Sequence, residues 1–211
     1  MLVSNVFKQI YRLAIWYFIN IISFGKASKI YYINPSTLKH GQNPTSQFSA
    51  KTTLNFIKNG EWDKDVSPIE EHFLFKSFQD RFTHKKKWKE TLLYKEGVSR
   101  VEKGLSFRTK YTTKEGVLSR CFECEDLYKV IKHHGIKSNH QLYKERKIDN
   151  PILMLDEITV NIDKNGQLIL NDGWHRFLIA KILNLPLIPV RVLIRHTLWK
   201  GEVEEIITRY R

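Results

Sequence analysis

One stretch of the sequence, LILNDGWHRFLIAKILNLPLIPVRVLIRH, constrains the fold more than any other; it covers residues 168–196. The apolar run before Asp172 and Gly173 predicts a strand, and the apolar spacing that follows predicts a helix. The β-branched run that begins at Ile188 predicts a second strand. A strand, a tight glycine turn, a helix and a strand in this order are typical of a domain that mixes helices with a sheet.

The turn between the first strand and the helix carries polar groups suited to an anion. Asp172 is a good N-cap residue, Gly173 allows a sharp turn, and Trp174, His175 and Arg176 fall in the first helical turn. The free N–H groups and the dipole of a helix N-terminus favour a phosphate or a carboxylate. His175 and Arg176 add side-chain donors, so the turn predicts an anion site. The same residues also fit an ordinary capped helix whose arginine pairs with a surface carboxylate.

A longer motif surrounds this turn. Gly173-Trp174-His175-Arg176 is followed by Ala180-Lys181, by a helix end at Asn184-Leu185 and by Ile188-Pro189-Val190. This order resembles the signature of the ParB/sulfiredoxin superfamily. Two other segments resemble the opening strand of that family and the helix before its core strands; they are KIYYINPSTL (29–38) and CEDLYKVIKHHGI (124–136).

The resemblance implies an α+β (α/β) fold for the core, and the remaining sequence divides the chain into four parts. These are an N-terminal apolar helix (1–28), a ParB/sulfiredoxin-like core (29–38 with 120–196), a basic helical insertion (39–119) and a C-terminal tail or helix (197–211). The members of this family include proteins that hydrolyse a nucleoside triphosphate in chromosome partitioning, ATP-using sulfinic acid reductases and kinases of free serine. Sulfinic acid reduction is not expected here, because Trp174 stands where the reductases carry a cysteine.

The function expected from this resemblance is nucleotide binding, with Mg²⁺-assisted phosphoryl transfer or triphosphate hydrolysis on an unidentified acceptor. ATP or CTP would rest its phosphates on the turn from Asp172 to Arg176, and Arg120 would act as a second clamp, since arginine offers a bidentate fork. Glu157 precedes the hairpin that leads into the turn, so it is the candidate general base or Mg²⁺ ligand. His175 is the second candidate catalytic residue. A surface carboxylate paired with a lysine is the alternative for Glu157.

Charge is distributed unevenly along the chain, whose formal net charge is +13 at pH 7. Residues 1–60 contain seven lysines or arginines and no acidic residue, and residues 81–114 contain eleven basic and three acidic residues. A basic half is typical of nucleic-acid binding, of binding to an anionic membrane, or of a solvated lysine-rich face. A nucleic-acid-binding module that contacts phosphates through the same turn and through Lys85, Lys86 and Lys87 is therefore the main alternative function.

The N-terminus favours a membrane surface. Residues 13–24 form an aromatic-rich apolar run preceded by Lys8 and Arg12, and twelve residues are too few for a spanning helix, which needs about 20. We therefore expect residues 1–24 to form an interfacial helix, in a cytoplasmic protein that is peripheral to the inner face of the membrane. A signal peptide and a helix docked on protein are the alternatives, and a non-catalytic membrane-surface protein is the second alternative function.

Two other motifs predict no metal site. Cys121 and Cys124 form a single C-x-x-C pair, which is weak evidence for zinc or redox chemistry, so no zinc is expected. Residues 163–166, Asp-Lys-Asn-Gly, lack the spacing of a calcium loop and predict a hairpin turn. In the last core strand, Arg191 and Arg195 predict the exposed face of an edge strand or a basic wall beside the ligand.

Three other segments of the sequence show helical patterns. Ile69, Phe73, Leu74, Phe78 and Phe82 recur at helical spacing and predict a core stripe. A helix from Trp88 to Glu96 is expected to stop at Gly97, and one from Glu123 to His134 at Gly135.

Overall fold

A computed structural model describes residues 10–11, 14–15, 17–18, 21, 29–44, 46–49, 56–148, 153–154 and 156–211. A mixed sheet of seven strands combines with helices, which confirms the α+β class. The strands are β1 (Tyr31–Ile33), β2 (His40–Gln42), β3 (Ile57–Lys58), β4 (Val66–Pro68), β5 (Thr159–Ile162), β6 (Leu168–Asp172) and β7 (Ile188–His196). The α-helices are α1 (Phe73–Phe78), α2 (Leu92–Glu102), α3 (Lys114–His134), α4 (Asn139–Lys144), α5 (Trp174–Ile182) and α6 (Val203–Arg209).

Most of the predicted N-terminal helix, 1–28, lies outside the described residues. The residues of that segment that are described are helical; they are Ile10, Tyr11, Ala14, Ile15, Tyr17, Phe18 and Ile21.

The chain divides into two compact units. The first comprises residues 1–67, 136–174 and 186–211, and it holds the sheet except for the last residue of β4. The second comprises residues 68–135 and 175–185, and it holds α1, α2, α3 and all of α5 after Trp174.

In the first unit the strand order is β1-β7-β5-β6-β2-β4, and β3 also pairs with β7. The predicted hairpin is confirmed: β5 and β6 are antiparallel, and the Asp163 side chain accepts the N–H groups of Asn165 (2.9 Å) and Gln167 (2.6 Å) in the turn. The predicted edge position of the last core strand is wrong, because β7 pairs with β1, β3 and β5. Arg191 is therefore buried inside the sheet and is only 3% exposed.

A buried polar network links β6 to the loop that follows β2. Asn171 donates to the Phe48 carbonyl (2.8 Å) and to Thr159 Oγ1 (3.0 Å). Its side-chain oxygen accepts from the Phe48 N–H (2.9 Å) and from Asn161 Nδ2 (3.2 Å). The side-chain amide of Asn171 thus makes the same pair of hydrogen bonds with the Phe48 backbone that a neighbouring strand would make. Asn171 is also the extra residue of a β-bulge in β6 opposite β5.

Replacing Asn171 with alanine is expected to destabilise the protein by about 3 kcal/mol, because this fully buried side chain makes four hydrogen bonds, two with the Phe48 backbone and one each with Asn161 and Thr159. Urea denaturation monitored by circular dichroism measures the change. Asn165→Ala is the control, since Asn165 is exposed in the hairpin turn and its replacement should cost less than about 0.5 kcal/mol. Equal costs for the two variants would contradict a stabilising role for the network.

The second unit is helical around an aromatic core. Phe78 and Phe82 pack edge-on against Trp88, and Phe82 stacks on Tyr128 with ring centres 4.0 Å apart. The predicted core stripe is confirmed for Ile69, Leu74, Phe78 and Phe82, which are at most 6% exposed.

Several predicted boundaries differ from the structure. The expected helical insertion, 39–119, contains β2, β3 and β4. These strands have only two or three residues each, too few to show a period-2 pattern in sequence. Gly97 does not end a helix but lies within α2, where a Cβ atom would come within 2.5 Å of Val117 in α3. Its missing side chain allows the two helices to pack closely.

Candidate anion site

The predicted phosphate turn begins in the first unit. Asp172 is the last residue of β6, and its carboxylate accepts the Gly173 N–H at 2.7 Å. Because α5 begins at Trp174, Gly173 holds the N-cap position, and the prediction of Asp172 as the N-cap is wrong by one residue. Trp174, His175 and Arg176 occupy the first turn of α5, as expected.

Gly173 and Trp174 are fixed by packing within the first unit. Gly173 has φ +82°, and a Cβ atom there would lie 2.7 Å from the Cα atom of Ile158. Trp174 is 7% exposed, and its indole ring covers Gly41 so closely that a Cβ on Gly41 would come within 2.3 Å of the ring. The Trp174 ring is therefore part of the hydrophobic core of the first unit.

Glu157, the predicted base, is 3% exposed in the first unit. Its carboxylate accepts the backbone N–H of His140 at 3.1 Å in the first turn of α4, a favourable place for negative charge. Burial lowers the pKa of Arg191 to about 10, and the attraction of Glu157 and of Asp156 opposes this shift. Glu157 thus has the surroundings of a buried structural carboxylate, and its catalytic role stays a prediction.

In the second unit, His175 belongs to a group of four basic side chains, which we call the Arg108 cluster: His72, Arg108, Arg120 and His175. Arg108 Nη2 lies 3.4 Å from His175 Nε2. The His175 ring packs edge-on against Phe78, with centres 5.7 Å apart. His72 caps α1, because its Nδ1 atom accepts the Leu74 N–H at 3.2 Å.

The imidazoles of the cluster are neutral. Burial lowers the pKa of His175 to about 3, and the positive charges of Arg108 and Arg120 and the imidazole of His72 lower it further in the same direction. Burial, and then the charge of Arg108, lowers the pKa of His72 to about 4. Neutral imidazoles beside two guanidinium groups mark a region of positive potential that an anion would relieve.

Arg120, the predicted second clamp, has a carboxylate partner. Its Nη1 atom lies 2.9 Å from Glu123, which also accepts hydrogen bonds of 2.6 and 2.7 Å from the Tyr111 hydroxyl. The bonds from Tyr111 and then from Arg120 lower the pKa of Glu123. Arg120 is therefore partly neutralised by Glu123.

Arg108 is held in a strained turn. Arg108 and Thr109 have φ of 52° and 56°, in the left-handed region that non-glycine residues rarely adopt. The turn is closed by hydrogen bonds between Phe107 and Tyr111, with N···O distances of 2.7 and 3.0 Å. Each such residue costs about 1 to 2 kcal/mol, and this kind of strain is concentrated at functional sites. Sequence analysis missed Arg108, since neither glycine nor asparagine marks the turn.

A groove of about 600 Å³ adjoins Arg108. Phe73, Phe107 and Leu92 supply apolar surface, while Lys95, Arg100 and Glu96 supply charge. Its volume lies within the usual range of small-molecule sites, which is about 300 to 1,000 Å³. The groove together with the Arg108 cluster could hold a ligand with an anionic head and a flat or apolar body.

The C-x-x-C pair is buried in the same unit. Burial raises the pKa of Cys121 to about 12 and that of Cys124 to about 11, so both are thiols at neutral pH. Within the described part of the chain, no group of three or more histidine, cysteine or acidic side chains is arranged to hold a metal ion.

Comparison of the chain with protein-family models, with curated proteins and with solved structures gives no match. The resemblance to the ParB/sulfiredoxin superfamily therefore rests on the motif residues. Across the residues that the structure describes, no helix has the length and apolar character needed to cross a bilayer.

Proposed function

We propose that the second unit binds an organic phosphate, with a nucleoside triphosphate such as ATP or CTP as the favoured ligand. The observation that carries this proposal is the position of Arg108. A strained turn holds its guanidinium group beside neutral His175 and at the side of an apolar groove. Backbone strain of this kind clusters at active sites and ligand-binding sites.

The groove and the cluster fit the two halves of a nucleotide. Guanidinium groups bind phosphate through short, charge-assisted and often bidentate hydrogen bonds. Phe73 and Leu92 offer apolar surface for a base, and Lys95 and Arg100 add positive charge along the groove. The motif resemblance at His175 and Arg176 supports the same ligand class.

The geometry supports binding more strongly than it supports chemistry. A pKa of about 3 makes His175 a weak base at neutral pH, since an efficient general base has a pKa near the working pH. The cluster also does not fit a magnesium site, because Glu123 is already bonded to Arg120 and Tyr111. Mg²⁺ would therefore arrive with the nucleotide phosphates, and triphosphate hydrolysis is the further activity that the resemblance implies.

Nucleic-acid binding is less well supported by the contacts of the basic segment. Lys85 donates to the Phe82 carbonyl at 2.8 Å, and Lys86 pairs with Asp80 at 2.7 Å. Arg81 pairs with Glu125 at 2.7 Å. Basic side chains that already form ion pairs within the protein contribute less to binding the phosphates of a nucleic acid.

Replacing Arg108 with alanine is expected to weaken nucleotide binding by about 10- to 100-fold, the effect of losing a charged hydrogen bond to phosphate. Isothermal titration calorimetry with ATP, CTP and GTP, each with Mg²⁺, measures the affinity. Arg146→Ala is the matched control, since Arg146 is also exposed and has φ of 54° but lies in the first unit. It should bind like the wild type.

A second variant, Arg108→Gly, separates loss of binding from loss of folding. Glycine relieves the left-handed strain, so this variant should be more stable than the wild type by about 1 kcal/mol while binding as weakly as Arg108→Ala. Unchanged affinity in both variants, or no binding of any nucleotide by the wild type, would refute the proposal.

A further inference from the structure

The described residues of the N-terminal segment carry an exposed apolar stripe. Five large side chains are more than half exposed: Ile10 (59%), Tyr11 (69%), Tyr17 (56%), Phe18 (57%) and Ile21 (71%). On a helical wheel drawn from the sequence, at about 100° per residue, the five positions fall within an arc of about 120°. We call this surface the N-terminal stripe.

The positive charge of the surrounding sequence favours a negatively charged partner for the N-terminal stripe. Residues 1–60 contain seven basic residues and no acidic residue, within a chain of net charge +13. A second copy of the chain would bring like charges together, whereas an anionic surface would attract them. A bilayer of anionic lipid meets both requirements, since it offers an apolar interior and negative headgroups.

The composition of the stripe fits the boundary of a bilayer. Tyr11 and Tyr17 combine an apolar ring with a hydroxyl group, which suits the depth of the headgroups, while Ile10, Phe18 and Ile21 are wholly apolar. We propose that the N-terminal stripe docks this protein on the surface of an anionic phospholipid bilayer.

Vesicle flotation of the full chain tests this proposal. Vesicles of phosphatidylcholine alone are compared with vesicles of equal parts phosphatidylcholine and phosphatidylglycerol. We expect the wild type to float with the anionic vesicles and to be released as the salt concentration rises. The double variant Phe18→Asp, Ile21→Asp should partition at least about tenfold more weakly, because it removes two apolar side chains that would be buried in the bilayer and adds negative charge.

The matched control places the same charges elsewhere. Leu105 and Leu198 are 52% and 68% exposed, so Leu105→Asp, Leu198→Asp makes an equal change away from the stripe and should float like the wild type. Arg108→Ala should also float like the wild type, which keeps this test independent of nucleotide binding.

Three outcomes would overturn the proposal. These are failure of the wild type to float, flotation of the stripe variant to the same extent as the wild type, and equal binding to the two vesicle types. Sedimentation velocity without vesicles adds a fourth: a wild-type dimer that the stripe variant converts to a monomer would assign the stripe to self-association.

Discussion

Replacing Gly173 with alanine is expected to destabilise the first unit by about 3 kcal/mol or more, through a clash added to an unfavourable backbone conformation. The new Cβ atom would lie 2.7 Å from the Cα atom and 3.0 Å from the Cγ1 atom of Ile158. Ile158 is fully buried directly before β5, so backbone, rather than the end of a flexible side chain, would have to move. Chemical denaturation with circular dichroism measures the loss.

Gly104→Ala is the control for the backbone term. Gly104 has a similar φ of 71°, but no atom lies within 4 Å of the position that a Cβ would take. Its replacement should cost about 1 to 2 kcal/mol, the penalty for a left-handed alanine alone. If Gly173→Ala cost no more stability than Gly104→Ala, the close approach to Ile158 would add nothing to the cost. Gly173 would then be required only for its left-handed backbone conformation.

Lowering the pH from about 6.5 to about 4.5 is expected to destabilise the second unit through His72 and His175. Unfolded histidine takes up a proton near pH 6.5, whereas the folded chain resists protonation until about pH 4 at His72 and about pH 3 at His175. The unfolded state therefore binds more protons in this window. The contribution of the neutral imidazoles is complete above pH 6.5 and is lost as the pH falls.

The size of this acid effect follows from linkage. A histidine that stays neutral in the fold costs about 1.4 kcal/mol per pH unit below its ordinary pKa. Both side chains are partly exposed, so solvent screening reduces the cost, and we expect about 2 to 3 kcal/mol from the pair at pH 4.5. Hydrogen bonds from Tyr111 and Arg120 lower the pKa of Glu123. The stability that Glu123 contributes is therefore lost below pH 4.5, outside the range of this measurement.

Denaturation at several pH values on a double variant, His72→Asn with His175→Gln, measures the effect. Asparagine can still cap α1, and neither new side chain titrates. The variant should lose less stability than the wild type between pH 6.5 and 4.5, while His134→Gln, at the exposed end of α3, should behave like the wild type. If the free energy of unfolding depended on pH in the same way in all three proteins, His72 and His175 would not be neutral in the folded protein.

The sequence predicted the elements whose signals are local. The turn at residues 163–166, the apolar run of β6 and the helical spacing from Trp174 placed the hairpin and α5 within a residue or two. The position of β7 was missed, since burial of Arg191 depends on pairing with β1, β3 and β5, which lie far away in the chain. The start of α3 at Lys114 was missed as well, although Thr113 caps it by accepting a hydrogen bond from the Gly116 N–H.

The candidate site was predictable only in part. The motif pointed to His175, but Arg108 lies 67 residues earlier in a turn without a sequence signal. His72 was missed because the helical spacing that begins at Ile69 placed it inside a helix, whereas the structure begins α1 at Phe73 and has His72 as the N-cap. Strained conformations and clusters of like charge run against local propensity, so they become visible only when tertiary contacts are known.

The most direct test of the proposed phosphate site is an NMR titration of the His175 imidazole in protein with isotope-labelled histidine, assigned with His175→Gln. Added ATP or CTP with Mg²⁺ would place negative charge beside Arg108, which should shift the His175 ring signals and raise its pKa from about 3 towards the ordinary value. Arg146→Ala should show the same shift, and Arg108→Ala should not. Unchanged His175 signals in a protein saturated with nucleotide would contradict a phosphate site at the Arg108 cluster.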